Sequence, residues 1–266
     1  MCTSARVTAD LRPSRRGEGK LAYDASERWL TLAARLDAEL RHAHPRTVLE
    51  EAAATFGDRL ALVSSFGAES AVLLHLVSKV KPDMPVLFLD TGMLFAQTLD
   101  YRRQLTQRFG LTDVRDLRPA YNDLAVADPH AKLWQSDTDA CCEIRKVIPL
   151  DKALAGFDAW ITGRKRFHGG ARLSLPVVEE ADHQVKFNPL ANWTKADLDA
   201  YVAEYDLPAH PLVAQGFPSI GCWPCTHPVE DGEDVRAGRW AGLDKTECGI
   251  HVARAPGAIT NVGGDI

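Results

Sequence analysis

The stretch Leu60-Ala61-Leu62-Val63-Ser64-Ser65-Phe66-Gly67-Ala68-Glu69-Ser70 decides the fold. A short apolar run gives way to small and hydroxyl residues, after which Leu73, Leu76, Val77 and Val80 recur at helical spacing. That order predicts strand, turn and helix. A second such unit follows: Pro85 opens Val86-Leu87-Phe88-Leu89, which ends at Asp90-Thr91-Gly92, and Phe95, Leu99 and Leu105 then share one helical face. A third strand is expected between Thr112 and Leu117. A fourth covers Ala159-Trp160-Ile161-Thr162 and ends at Gly163-Arg164-Lys165-Arg166. Strands alternating with helices predict an α/β fold with a mostly parallel, doubly wound sheet. Later, Thr194-Lys195-Ala196-Asp197 reads as a helix start, with Leu198, Tyr201, Val202 and Tyr205 as its buried stripe. Between Pro208 and Pro224, prolines and glycines are too frequent for regular structure.

In open α/β sheets ligands bind beyond the carboxyl ends of the strands. The turns at Ser64, Asp90 and Gly163 each follow a strand directly, so they are expected to converge on one rim. The Ser64 turn lacks the lysine of a Walker A loop. Its hydroxyls, Gly67 and the following helix N-terminus still offer N–H donors to an anion, although an ordinary helix cap shares the pattern. Among the nearby basic residues, Arg164, Arg236 and Arg239 are the expected anion binders, because each neighbours a strand-end turn or a cysteine. Lys165, Arg166 and Arg172 are expected at solvated surface.

Six cysteines in 266 residues are too sparse for a disulfide scaffold, and no export signal precedes them. Metal binding and thiol chemistry in a reducing, cytoplasmic compartment become the leading explanations. Cys141-Cys142 and Cys222-Trp223-Pro224-Cys225 supply four thiolates for one metal site. Zinc is the common occupant of four-cysteine sites. The adjacent pair is an awkward bite on a single ion, whereas a [4Fe–4S] cube spreads its ligands over four irons and takes neighbouring thiolates at separate corners. Cys248, in Glu247-Cys248-Gly249-Ile250-His251, is left over. It follows the basic stretch Arg236 to Trp240, a setting that favours a nucleophilic cysteine. Cys2 has no partner by spacing.

The formal charge of −5 argues against a nucleic-acid binder, and no run approaches the roughly 20 apolar residues of a membrane helix. Residues 1–20 are expected as a flexible polar leader, residues 21–240 as one α/β domain holding the strand-end anion rim and the metal site, and residues 241–266 as a mobile tail carrying Cys248. Composition leaves a homo-oligomer open.

Taken together, Ser64 to Ser70, Leu89 to Gly92, Cys141 to Lys146, Thr162-Gly163-Arg164, Gly221 to Thr226, Arg236 to Trp240 and Glu247 to His251 resemble the assimilatory adenylyl-sulfate (APS) reductases of bacteria. The resemblance implies an adenine nucleotide α-hydrolase-like fold, a [4Fe–4S] cluster on the four cysteines, and reduction of APS to sulfite and AMP. It assigns Ser64, Gly67 and Arg164 to the nucleotide or its sulfate, Thr91 and Gly92 to the nucleoside side, and Arg236 and Arg239 to closure over the anion. Lys146 would stand between cluster and substrate, Cys248 would be the nucleophile, and a thioredoxin- or glutaredoxin-like protein would act in trans. His251 carries no assigned role. Two departures stand out: Phe167-His168-Gly169-Gly170 replaces an expected glutamine, and Thr138-Asp139-Ala140, with no histidine, precedes Cys141. The alternatives are a 3′-phosphoadenylyl sulfate (PAPS) reductase, an ATP-dependent thiolation enzyme of the same fold, and a zinc-stabilised interaction module.

Overall fold

The computed structural model describes residues 16–251, with side chains from residue 27 onward. Cys2, most of the expected leader and the tail beyond residue 251 lie outside the described residues. The first helix, α1 (Arg16–Leu40), already begins within the stretch expected as leader.

The predicted βα units are present. β1 (Leu60–Ser64) follows α2 (Pro45–Phe56) and leads into α3 (Ser70–Val80); β2 (Val86–Leu89) leads into α4 (Ala96–Phe109) and β3 (Val114–Leu117). The short helices α5 (Tyr121–Ala127), α6 (Leu133–Ser136) and α7 (Thr138–Cys142) come next. A wide π turn at Glu143–Val147 then runs into α8 (Ile148–Leu154) and β4 (Ala159–Ile161). The hairpin β5 (Val178–Ala181) and β6 (Gln184–Phe187) precedes α9 (Lys195–Glu204).

One six-stranded sheet has the order β3-β2-β1-β4-β6-β5, parallel throughout except for the antiparallel β5 at its edge. Alternation along the strands explains why both faces are covered. Leu60 and Leu62 of β1, Val86 and Phe88 of β2, and Ala159 and Ile161 of β4 enter the large core shared with α1, α2, α3, α4 and α9. Ala61, Val63, Leu87, Leu89 and Trp160, pointing the other way, pack with Leu150 and Leu154 of α8. A fully buried leucine of this kind contributes about 1.5–3 kcal/mol.

The β5–β6 hairpin escaped the strand pattern. Its two-residue turn, Asp182-His183, places both residues at positive φ (51° and 63°) without the glycine that usually signals such a turn. Asp37 of α1 holds the edge by accepting hydrogen bonds from the Val177 and Val178 amides at 2.9 and 3.0 Å. The expected α9 start is a capping box: the Asp197 amide donates to Thr194 Oγ1 at 3.2 Å, and the Thr194 amide donates to Asp197 Oδ2 at 2.8 Å. Its stripe is shorter than expected, since Tyr205 is 44% exposed. From Pro208 to the end of the described chain there are only short 3-10 turns and isolated β-bridges, in keeping with the proline and glycine content.

Candidate active site

β1 and β4 are neighbours in the sheet, yet β1 continues through α3 to β2 on its other side. Chain directions diverge there and open a crevice at the strand ends. A cavity of about 240 Å³ occupies it. Ser64 and Gly67 after β1, Thr91 after β2, and Gly163 and Arg164 after β4 all line it, as do Lys146, Arg236, Arg239 and Cys248. The three strand-end turns therefore converge as expected. Gly92 is the exception, being exposed and beside the Arg145 guanidinium, outside the cavity lining. Asp90 also stays outside the lining, accepting from Arg118 Nε at 2.9 Å and from the Gly92 amide at 3.2 Å.

Gly67 is needed for close approach. A Cβ there would sit 3.3 Å from the Ile220 carbonyl, so the β1 turn and the segment before the Cys-x-x-Cys touch backbone to backbone. The Ser64 hydroxyl accepts from the Phe66 amide at 3.2 Å and shapes the turn. Leu94 bridges Cys222, and the Trp223 amide donates to the Met93 carbonyl at 2.8 Å, clipping the Cys-x-x-Cys loop to the turn after β2.

The cavity wall is strongly basic. Arg239 lies with its guanidinium 4.5 Å from the Trp240 ring and flat against Gly221, where any Cβ would collide with it. Its Nε is buried without a partner, and so is that of Arg164, whose Nη1 meets Glu179 at 3.3 Å. Two buried N–H groups without protein acceptors suit a cavity built for an anion. Burial pushes the Arg164 and Arg236 pKa values down, the neighbouring arginines adding to the effect. An anionic ligand would relieve both costs.

Behind the cavity, Cys141, Cys142, Cys222 and Cys225 line one small pocket with Met93, Trp134, Arg145 and Lys146. All four are free, buried thiols. Among the described residues no three His, Cys, Asp or Glu side chains are gathered tightly enough to hold a single metal ion. The π turn after α7 leaves Cys141, Cys142, Arg145 and Lys146 all buried on one side of the chain. Burial raises the Cys141 thiol to about 11 and moves Cys142 and Cys225 upward as well. Thr91 Oγ1 lies 3.3 Å from Cys222 Sγ. Arg145 donates to Asp128 Oδ2 at 2.6 Å and to the Thr91 carbonyl at 2.8 Å, while its buried Nε has no partner. Asp128, which carries no motif, is thus the counterion beside this pocket. Lys146 belongs to both spaces. Burial opposes its charge, but the Cys222, Cys248 and Cys142 sulfurs outweigh burial and hold its pKa above the ordinary lysine value.

Three basic residues expected at the surface are engaged inside instead. Lys165 is buried and donates to Glu69 Oε2 at 2.8 Å. Arg166 donates to the Leu175 carbonyl at 2.7 Å. Arg172 is buried, lines the cavity and meets Glu247 through two hydrogen bonds. The acidic partners of Lys165 and Arg172 lie 96 and 75 residues away, so charge counting along the chain could not find them. Cys248 is half-buried, and His251 stacks on Trp160 with ring centroids 5.9 Å apart and planes 8° from parallel. Burial, with Lys186 and Arg164 nearby, drives the His251 pKa well down and leaves the ring neutral.

The family model for the phosphoadenosine phosphosulfate reductase domain matches residues 59–228. The chain belongs to this family. An adenosine 5′-phosphosulfate reductase of Mesorhizobium japonicum is 48% identical over 239 residues, covering 90% of this chain and 94% of the relative. A phosphoadenosine 5′-phosphosulfate reductase of Gloeobacter violaceus is 45% identical over 215 residues, 78% of this chain and 88% of the relative. Among solved structures, the phosphoadenylyl-sulfate (PAPS) reductase of Candida auris, a phosphate complex, superposes with a TM-score of 0.62 at 31% identity, covering 73% of this chain and 96% of that one. That superposition agrees with the α/β sheet described above. Among the described residues, no helix is long and apolar enough to cross a membrane.

Proposed function

We infer that this reductase-family chain converts adenylyl sulfate to sulfite and AMP, with Cys248 as nucleophile and a thioredoxin-type dithiol as reductant. One observation carries the reading: Cys248 opens onto the same cavity as the β1 turn, Arg164 and Arg239. A nucleotide held at the strand ends would therefore present its sulfate to a thiol and to guanidinium groups together.

The chemistry balances without another oxidant. The Cys248 thiolate attacks the sulfate sulfur, a sulfur–sulfur bond forms, and the bond from sulfur to the bridging oxygen breaks with its electron pair leaving on AMP. Arg164, Arg236 and Arg239 offset negative charge at a centre already anionic, as in phosphoryl transfer. One thiol of the external dithiol then attacks Cys248 and expels sulfite. The second thiol resolves the mixed disulfide, so the dithiol is oxidised as sulfate is reduced. A reducing compartment, the cytoplasm, suits that partner.

APS is preferred to PAPS as substrate because the family resemblance implies that members specific for PAPS generally lack four metal-site cysteines, which this chain carries. The donor set fits a [4Fe–4S] cluster: four buried thiols face one pocket, with the Lys146 ammonium against them and the unpartnered Arg145 Nε beside them. When bound, such a cluster supplies structural and electrostatic organisation next to the substrate. Anaerobically purified protein tests both points. It should contain iron and acid-labile sulfide in near-equal amounts, and it should turn over APS with reduced thioredoxin in preference to PAPS. Stoichiometric zinc without sulfide in active protein would exclude the cluster, and a preference for PAPS would overturn the substrate.

A further inference from the structure

We propose that the Arg172–Glu247 pair, backed by His168 and Glu69, is the latch that positions Cys248 over the cavity. This rests on the reading of Cys248 as nucleophile. Glu247 immediately precedes Cys248 in the chain. Arg172 grips it with a fork, Nε donating to Oε1 at 2.7 Å and Nη2 to Oε2 at 2.9 Å. Paired planar contacts of this kind fix direction as well as distance. The remaining guanidinium nitrogen, Nη1, lies 3.1 Å from His168 Nδ1. A guanidinium can only donate, so Nδ1 accepts and the imidazole proton sits on Nε2. That nitrogen faces Glu69 Oε2 at 3.1 Å, and Lys165 Nζ holds the same oxygen at 2.8 Å. A continuous line of five side chains thus runs from the rim after β1 and β4 to the residue beside Cys248.

The departure Phe167-His168-Gly169-Gly170 builds this line. Gly169 and Gly170 adopt φ of 69° and 59°, and the 3-10 turn that follows carries Arg172 back under His168. Other ties hold the same arm. Arg236 donates to the Thr246 carbonyl at 2.7 Å and lies 3.6 Å from Glu247. Lys245 pairs with Asp139, and His251 stacks on Trp160. Ile250 adds a partly buried apolar contact with the core of the α8 face. A charged latch aims the thiol and can still let go. The external dithiol must reach Cys248 in the second half of the reaction, and an ion pair that rehydrates on opening releases more readily than a buried apolar plug.

The test uses the full chain with no substrate. Alkylation of Cys248 by iodoacetamide is followed by peptide mass spectrometry at the plateau of its pH profile, where the rate reports access rather than ionisation. Arg172→Met and Glu247→Ala should each raise that rate about tenfold, the equivalent of one lost charge-assisted hydrogen bond. The double variant should be no faster than Glu247→Ala alone, because that change already removes both contacts Arg172 makes with Glu247. His168→Ala should give a smaller rise. Glu247 sits on the arm rather than in the core, so Glu247→Ala serves if Arg172→Met fails to fold. An unchanged rate in Glu247→Ala, or single effects that multiply in the double variant, would overturn the latch. Because alkylation is read without APS, its outcome is independent of whether the wild type releases AMP.

Discussion

The Lys146 ammonium lies 3.5 Å from the Cys142 sulfur, and the same side chain lines both the cavity at the strand ends and the pocket of four cysteines. A buried cation in that position couples two sites that share no other side chain except Cys222. Lys146→Met should lower kcat/KM for APS by about ten- to a hundredfold, the scale of one lost charge-assisted contact, while iron and sulfide contents stay at wild-type levels. Steady-state AMP release and metal analysis on the same sample check this. Unchanged kinetics would assign Lys146 to the sulfur pocket alone.

Arg239 and Gly221 make a paired prediction. Arg239→Ala should cost roughly ten- to a hundredfold in kcat/KM with little change in melting temperature. Gly221→Ala should reproduce much of that loss with the arginine still present, because the added methyl displaces the guanidinium from its resting place. A Gly221→Ala enzyme with normal kinetics would show that the guanidinium position is immaterial.

Cys248→Ser should bind APS and match the unsubstituted protein in metal content but release no AMP, since an alcohol at its ordinary pKa cannot replace the thiolate. In the unsubstituted protein, APS without reductant should give about one AMP per chain and an added SO₃ on the peptide containing Cys248. Intact-mass and peptide mapping read both. An adduct on a different cysteine would mean that the nucleophile has been misassigned.

Glu69 links the rim to pH. Burial pushes its carboxyl up, but the hydrogen bond from His168 and the charge of Lys165 prevail and bring it down from 4.5 to about 2. A carboxylate with a depressed folded-state pKa stabilises the protein above its unfolded value and loses that contribution as pH falls through the folded one. The stability advantage of wild type over Glu69→Gln should therefore be full above pH 4.5, on the order of 3 kcal/mol, and fade between there and about pH 2. Urea unfolding of the two proteins across that range measures it. A difference that does not depend on pH would exclude this linkage.

Much of the architecture was legible in the chain because it rests on local periodicity. The alternation in Leu60 to Val63 and Val86 to Leu89 buries one set of side chains on each sheet face, and the small residues that end each strand can only form turns. The capping box at Thr194 was equally readable, since both partners lie within one helical turn. The β5–β6 hairpin was not, because Asp182 and His183 adopt left-handed backbone without a glycine to announce it.

The chemistry divides along the same line. Cys248, the paired cysteines and the Cys-x-x-Cys stand out by residue type and spacing, so composition alone set them apart. Which charges serve the site was settled only in three dimensions. Arg172 reads as one more surface arginine until Glu247, 75 residues away, closes on it. Arg145 likewise spends its charge on Asp128 and the Thr91 carbonyl. Gly92, beside Thr91 in the chain, is exposed while Thr91 is buried. Periodicity is a property of neighbours along the chain and survives in sequence; the pairing of buried charges depends on desolvation and on contacts that only folding brings together.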